Sequence, residues 1–351
     1  MKRMVLVATV LLAGGAPMGF ALTIPAWDGN TGWVVPPGAL IEWNQATGTL
    51  FAYSGAHVWE VNAGWTGWTQ QASGVDGLTA FDPGGCAFDA TGAEFMLDAG
   101  WGLETRQTTI ASGTTVVKSG LGVNFFDAGT HPVSGQIFAT WADGWGSGNN
   151  NRIVQVSLAG NGSTTDVVSL PTDKRPDNDG TWGGVASGGL GFDAAGNLYM
   201  SRFEYYDGAD PDAPPNHLGY IDIYQITAAD LADGAPYTAN LLVNDLLGAG
   251  SGQLVVGGNG MIYLMAGPGV VGISATSDPD SFTWENLAGD FQGDAWGPWL
   301  YMGLTTDQAG QILYYGEWEG SGLQLRSLEM VPEPGCLLPV LMGVLFLRKK
   351  K

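Results

Sequence analysis

The sequence predicts an all-β chain folded as a β-propeller, and three observations carry that prediction. Glycine supplies 56 of 351 residues beside 14 tryptophans, with only 13% of residues charged. Helical periodicity is nearly absent, and short apolar runs alternate with turn residues, the pattern of many short strands. A strand–turn–strand unit also recurs six times, with its glycines 44, 43, 61, 64 and 50 residues apart. Units of that length holding several strands are the size of propeller blades.

The unit is a turn ending in glycine, one variable residue, then an apolar strand. It begins as Ala46-Thr47-Gly48-Thr49-Leu50-Phe51 and returns around Gly92, Gly135, Gly196, Gly260 and Gly310. Each glycine is predicted at a positive-φ hairpin position, where a side chain would clash. Asp89, Asp193 and Asp307 stand three residues before their glycines, and such side chains bond turn amides. Six blades are expected, and a seventh, degenerate one fits inside the two long spacings. The last unit offers Thr305–Asp307, Gln311–Trp318 and Leu323–Leu328, so Thr31–Val35 is expected to supply its outer strand and close the ring. A pair of β-sandwiches is the competing architecture.

The stretch Phe192-Asp193-Ala194-Ala195-Gly196-Asn197-Leu198-Tyr199 resembles the blade signature of the NHL and SMP-30/gluconolactonase-like propellers. That resemblance rests on one copy of the unit.

Both ends of the chain carry export signals. Lys2 and Arg3 precede an apolar run, Met4 to Ala16, and Gly19 and Ala21 are small residues before a cleavage point near Leu22. Residues 1–21 thus read as a signal peptide. At the other end, Val331-Pro332-Glu333-Pro334 is followed by an apolar run from Gly335 to Leu347 and by Arg348-Lys349-Lys350-Lys351. That run is short against the ~20 residues of a bilayer span, so it suits a transient anchor, its cationic end cytoplasmic. The order of box, hydrophobic segment and basic cluster resembles the PEP-CTERM sorting tail of Gram-negative bacteria. The resemblance implies that residues 331–351 are a helical sorting tail processed by an exosortase near Pro332-Glu333-Pro334. It implies transient anchoring in the inner membrane, then residence at the cell surface or in the extracellular polysaccharide matrix. Residues 22–330 remain as the propeller domain.

That domain keeps seven basic residues: Arg106, Lys118, Arg152, Lys174, Arg175, Arg202 and Arg326. A surface so acidic repels phosphates, which argues against nucleic acid as a partner. Cys86 is its single cysteine, so no internal disulfide forms, and its apolar surroundings predict a buried, inert thiol. The domain is expected to be a monomer.

Candidate sites are of three kinds. Trp65, Trp68, Trp141, Trp145, Trp296 and Trp299 offer flat apolar faces with a polar N–H, suited to sugar rings; the competing role is packing between blades. Asp177 and Asp179 lie in an oxygen-rich loop able to coordinate Ca2+; the competing role is a solvated acidic loop. Glu204, Asp222 and Glu317 fall in or after strands as candidate channel carboxylates. His57, His131 and His217 are too scattered for a metal-ligand spacing, and no nucleophile elbow is present. No catalytic residue is therefore assigned. The expectation is a non-enzymatic exported propeller that binds glycan or protein. The alternatives are a secreted lactonase-like hydrolase or polysaccharide lyase using a divalent metal, and a purely structural matrix component.

Overall fold

The computed structural model describes residues 22–25, 39–54, 57–73, 86–98, 105–111, 114–119, 124–142, 151–157, 163–178, 184–206, 213–234, 237–295, 300–319 and 322–330. The expected signal peptide and sorting tail lie outside these residues. Among those described, no helix is long and apolar enough to cross a membrane.

The chain opens with β1 (Leu22–Thr23), and the next strands form five four-stranded sheets in chain order. The first holds β2 (Ala39–Asn44), β3 (Thr49–Ser54), β4 (His57–Val61) and β5 (Trp68–Ser73). The second holds β6 (Cys86–Phe88), β7 (Glu94–Asp98), β8 (Thr105–Ala111) and β9 (Thr114–Ser119). The third holds β10 (Asn124–Thr130), β11 (Ile137–Ala142), β12 (Arg152–Ser157) and β13 (Ser163–Ser169). The fourth holds β14 (Gly184–Phe192), β15 (Leu198–Tyr205), β16 (Gly219–Ile226) and β17 (Asn240–Gly248). The fifth holds β18 (Leu254–Val256), β19 (Ile262–Ala266), β20 (Gly269–Ser274) and β21 (Thr283–Gly289). The sixth sheet combines β22 (Tyr301–Thr306), β23 (Ile312–Glu319) and β24 (Gly322–Glu329) with β1. Every strand pair is antiparallel.

The first strands β2, β6, β10, β14, β18 and β22 contact one another from sheet to sheet, and β2 meets β22. They surround the axis of a β-propeller. The outermost place in the sixth sheet belongs to β1, which pairs Leu22 with Leu325 and Thr23 with Gln324. Among the described residues the closing strand is Leu22–Thr23; Thr31–Val35, where the sequence places it, lies outside the described residues. Ile24 explains the choice: it is 1% exposed among Ile41, Leu50 and Leu325, so this end of the chain is drawn in by burial.

All six repeat glycines have positive φ, from 62° to 87°. The aspartates work as the sequence predicts at two turns: Asp193 Oδ1 accepts the amides of Ala195 and Asn197, and Asp307 Oδ1 accepts those of Gln311 and Ile312. Asn44 Oδ1 and His131 Nδ1 do the same in the first and third units, four residues before their glycines.

The core lies in layers between adjacent sheets. Phe138, Ile153, Leu190, Leu198 and Met200 fill the space between the third and fourth sheets. Val243, Leu246, Leu254, Leu264 and Phe291 fill that between the fourth and fifth. Strands covered on both faces read as continuous apolar runs, as in Ile262–Ala266, where every residue is buried. Near the axis the sheets converge until glycine is required. A Cβ on Gly191 would lie 2.6 Å from the carbonyl oxygen of Leu254 in the next sheet. We expect Gly191→Val to cost about 2–3 kcal/mol by overpacking, read as a lowered midpoint in thermal unfolding.

Candidate functional site at the ring axis

A cavity of about 90 Å³ opens where the inner strands run into their first hairpins. Glu42 and Asp127 face it from β2 and β10, with Trp43 and Thr305 beside them and Asp193 and Asp307 at the turns. Among the described residues its lining contains four carboxylates and no Lys, Arg or His.

A bulge sets Asp127. The pairing of β10 with β11 shifts register between Phe125 and Ala128, and such a shift re-aims a side chain. Asp127 is 2% exposed. Its Oδ1 accepts the Ala128 amide at 2.9 Å, and its Oδ2 accepts the amides of Leu190 at 2.8 Å and Leu254 at 3.0 Å. One carboxyl group therefore ties the third sheet to the fourth and fifth. Burial pushes it up to about 8, against the opposing pull of those three amides. Burial, with the Asp127 charge adding to it, also holds Glu42 well above the ordinary carboxylate range, while Thr305 pulls it back. Cys86 lies beneath, its thiol raised by burial and by both carboxylates. It is a buried free cysteine, 5% exposed.

The other junctions near the axis carry similar ties. Asn44 Nδ2 donates to the Gly92 carbonyl, and Thr130 Oγ1 to that of Phe88. Asn151 reaches Val185 and Ser187, Gln253 Oε1 accepts the Leu304 amide at 2.6 Å, and Thr305 Oγ1 accepts the amide of Trp43.

The candidate channel carboxylates lie elsewhere. Glu204 and Asp222 sit between Arg202 and Arg175 in a buried network of the fourth sheet. Arg202 Nη1 meets Asp222 Oδ2 at 2.8 Å, its Nη2 meets Glu204 Oε2 at 3.1 Å, and Arg175 Nη1 meets that same Oε2 at 2.8 Å. Asp245 also pairs with Arg175, from a position on β17 with φ 62°. Opposite charges and paired strands bring these groups together for cohesion. Glu317 pairs with Arg326 at 2.8 Å and accepts the Tyr301 hydroxyl. Its neighbours belong to the sixth sheet and not to the cavity.

The predicted aromatic residues divide. Trp65 stacks on Tyr314 with ring centres 5.4 Å apart, and Trp43 also stacks on Tyr314 at 5.9 Å. Trp65 takes φ 52° in the Asn62–Gly67 turn, an uncommon conformation for a bulky residue. Trp68 packs on the same apolar layer between the first and sixth sheets. Trp141 carries the Arg152 guanidinium 3.7 Å above its ring. All three make packing contacts. Trp145, Trp296 and Trp299 lie outside the described residues.

Asp177 accepts the Tyr206 hydroxyl at 3.0 Å, and Asp179 lies outside the described residues. Among the described residues no three acidic, histidine or cysteine side chains come together as a metal cluster.

No protein-family model and no curated protein sequence matches the chain. Solved structures do resemble it. A gluconolactonase from Xanthomonas campestris has a TM-score of 0.52 and 17% identity over 84% of this chain and 86% of its own. A calcium-binding protein, regucalcin, from Agrobacterium tumefaciens has a TM-score of 0.49 and 13% identity over 84% of this chain and 91% of its own. A chain of a nidogen/laminin complex has a TM-score of 0.49 and 13% identity, covering 83% and 88%. The body of this chain shares the β-propeller fold of the gluconolactonase-like structures.

Proposed function

We propose that this chain is an exported six-bladed propeller that binds an extracellular glycan or a protein through its loop faces, without turning it over. Its tail, Val331-Pro332-Glu333-Pro334 through Lys351, is then the part an exosortase processes, leaving the domain at the cell surface or in the matrix. One observation carries the non-catalytic reading. The best-placed carboxyl group at the axis, Asp127, commits both oxygens to backbone amides of three sheets. The cavity beside it is about 90 Å³. Ligand pockets run to about 300–1,000 Å³.

A lactonase-like hydrolase is the second reading. It is favoured by Glu42 and Asp127 both lining the cavity and both held above the ordinary carboxylate range, since carboxyls raised in this way can hold a proton for general acid–base work. Calorimetry of the exported protein with matrix polysaccharide, with and without chelator, separates the two. Saturable binding with the glycan recovered intact supports the first. Metal-dependent loss of glycan or lactone supports the second, and no heat with any glycan or matrix protein leaves a structural matrix role.

A further inference from the structure

The turn at Arg175–Asn178 holds a buried oxygen with no partner. The backbone N–H of Asn178 donates to the carbonyl of Arg175 at 3.0 Å. This closes a tight turn with Pro176 and Asp177 at its centre, Pro176 in the place that proline favours. Asn178 is 4% exposed. Its Nδ2 donates to Glu204 Oε1 at 3.0 Å and to the carbonyl of Tyr205 at 3.1 Å. Both partners are acceptors, so the side-chain amide cannot be turned around. Its Oδ1 is thereby fixed at the other corner of the group, where no donor reaches it. A buried acceptor without a donor is costly, and native folds rarely keep one.

The surroundings are negative and rigid. Glu204 pins the turn from β15: its Oε1 also accepts the Arg175 backbone N–H at 2.6 Å, and its Oε2 meets both guanidinium groups. Glu204, Asp222 and Asp245 together stand against Arg175 and Arg202. Asp177 adds a fourth carboxylate, and Lys174 beside it is exposed. Asp177 Oδ1 accepts the hydroxyl of Tyr206 at 3.0 Å, and Tyr206 is itself buried against Tyr220. That bond steers the Asp177 carboxylate and leaves its Oδ2 uncommitted among the described residues.

We propose that the Asp177–Asn178 turn binds a calcium ion through Asn178 Oδ1 and Asp177 Oδ2, with water completing the shell. A cation answers both features at once, since it satisfies the stranded oxygen and offsets the surplus of carboxylate. Calcium accepts carboxylate and amide oxygens in flexible shells, whereas magnesium demands a near-ideal octahedron. Two protein oxygens make a weak site, of the class with dissociation constants of about 10⁻⁴–10⁻³ M. The turn lies over the fourth sheet, and none of these residues lines the axial cavity. Glycan binding does not depend on this ion, so its loss would leave that reading intact.

The test is denaturant unfolding of the full chain with and without Ca2+. At about 10 mM Ca2+ the unfolding equilibrium constant should fall about tenfold to hundredfold. Asp177→Asn keeps an acceptor for Tyr206 while removing the charge, and should weaken calcium binding at least about tenfold. Asn178→Ala should abolish it; if that chain misfolds, Asp177→Asn carries the test alone. Asp280→Asn, in an exposed turn bonded to Asn244, should leave the calcium response unchanged. A response that Asp177→Asn leaves intact, whether or not Glu42→Gln removes it, overturns the proposal. So does equal stabilisation by Na+ at matched ionic strength. No response at all makes water the donor to Asn178 Oδ1 and overturns it as well.

Discussion

Asp127→Ala is expected to destabilise the protein by about 3–5 kcal/mol, because it strands the buried amides of Ala128, Leu190 and Leu254 together. Denaturant unfolding reads the loss directly. Asp127→Asn should cost much less, since the amide oxygen keeps one acceptor and the side chain resembles the protonated acid. The two variants also separate by pH. The Asp127 carboxyl titrates at about 8 in the fold, against an ordinary value of 3.8. A carboxyl raised on folding contributes stability that is fully present below its unfolded value and lost as the pH climbs through its folded value. The wild-type midpoint should therefore fall between about pH 5 and about pH 9, while Asp127→Asn shows a smaller fall. A wild-type midpoint as high at pH 9 as at pH 5 would refute this reading of the axis.

Arg202→Ala is the second large effect, about 3–5 kcal/mol. Arg202 is 4% exposed and Glu204 0%. Removing the guanidinium leaves a buried carboxylate short of a partner and releases the carbonyls of Pro171 and Asp173, which it holds. Arg202→Lys should recover little, because an ammonium cannot reproduce the planar fork. Arg326→Ala provides the contrast. It also removes ion pairs, with Glu317 and Glu319, but on a partly exposed face of the sixth sheet, where such pairs are worth under about 1 kcal/mol. Equal losses from Arg202→Ala and Arg326→Ala would show that burial does not govern these pairs.

The turns were legible in the sequence because their chemistry is local. Gly196 needs its φ of 87° whatever the rest of the chain does, and Asp193 bonds amides two and four residues away. Asn44 and His131 fill the same role from one residue further back and with other side-chain types, which hid them. The axis was not legible. Glu42 and Asp127 are two acids among 34, and what distinguishes Asp127 is a bulge and two amides supplied from 63 and 127 residues away. The charge network escaped for the same reason, since Arg175 reaches Asp245 across 70 residues. Nor does any local signal mark Leu22–Thr23 as a closing strand, since what fixes it is burial of Ile24 against residues far along the chain.

The seam between β1 and β24 also bears on how the ring is assembled. Four-stranded sheets made from neighbouring hairpins can form as the chain emerges, because their contacts are local. The sixth joins groups 301 residues apart, Thr23 and Gln324. Loop-closure entropy weighs most heavily on that joint, and contacts of such separation slow folding. Closure of the seam is therefore expected late in folding, and substitutions confined to it are expected chiefly to speed unfolding. A ring shut in this way resists degradation for as long as the β1–β24 seam and the β2–β22 junction beside it hold.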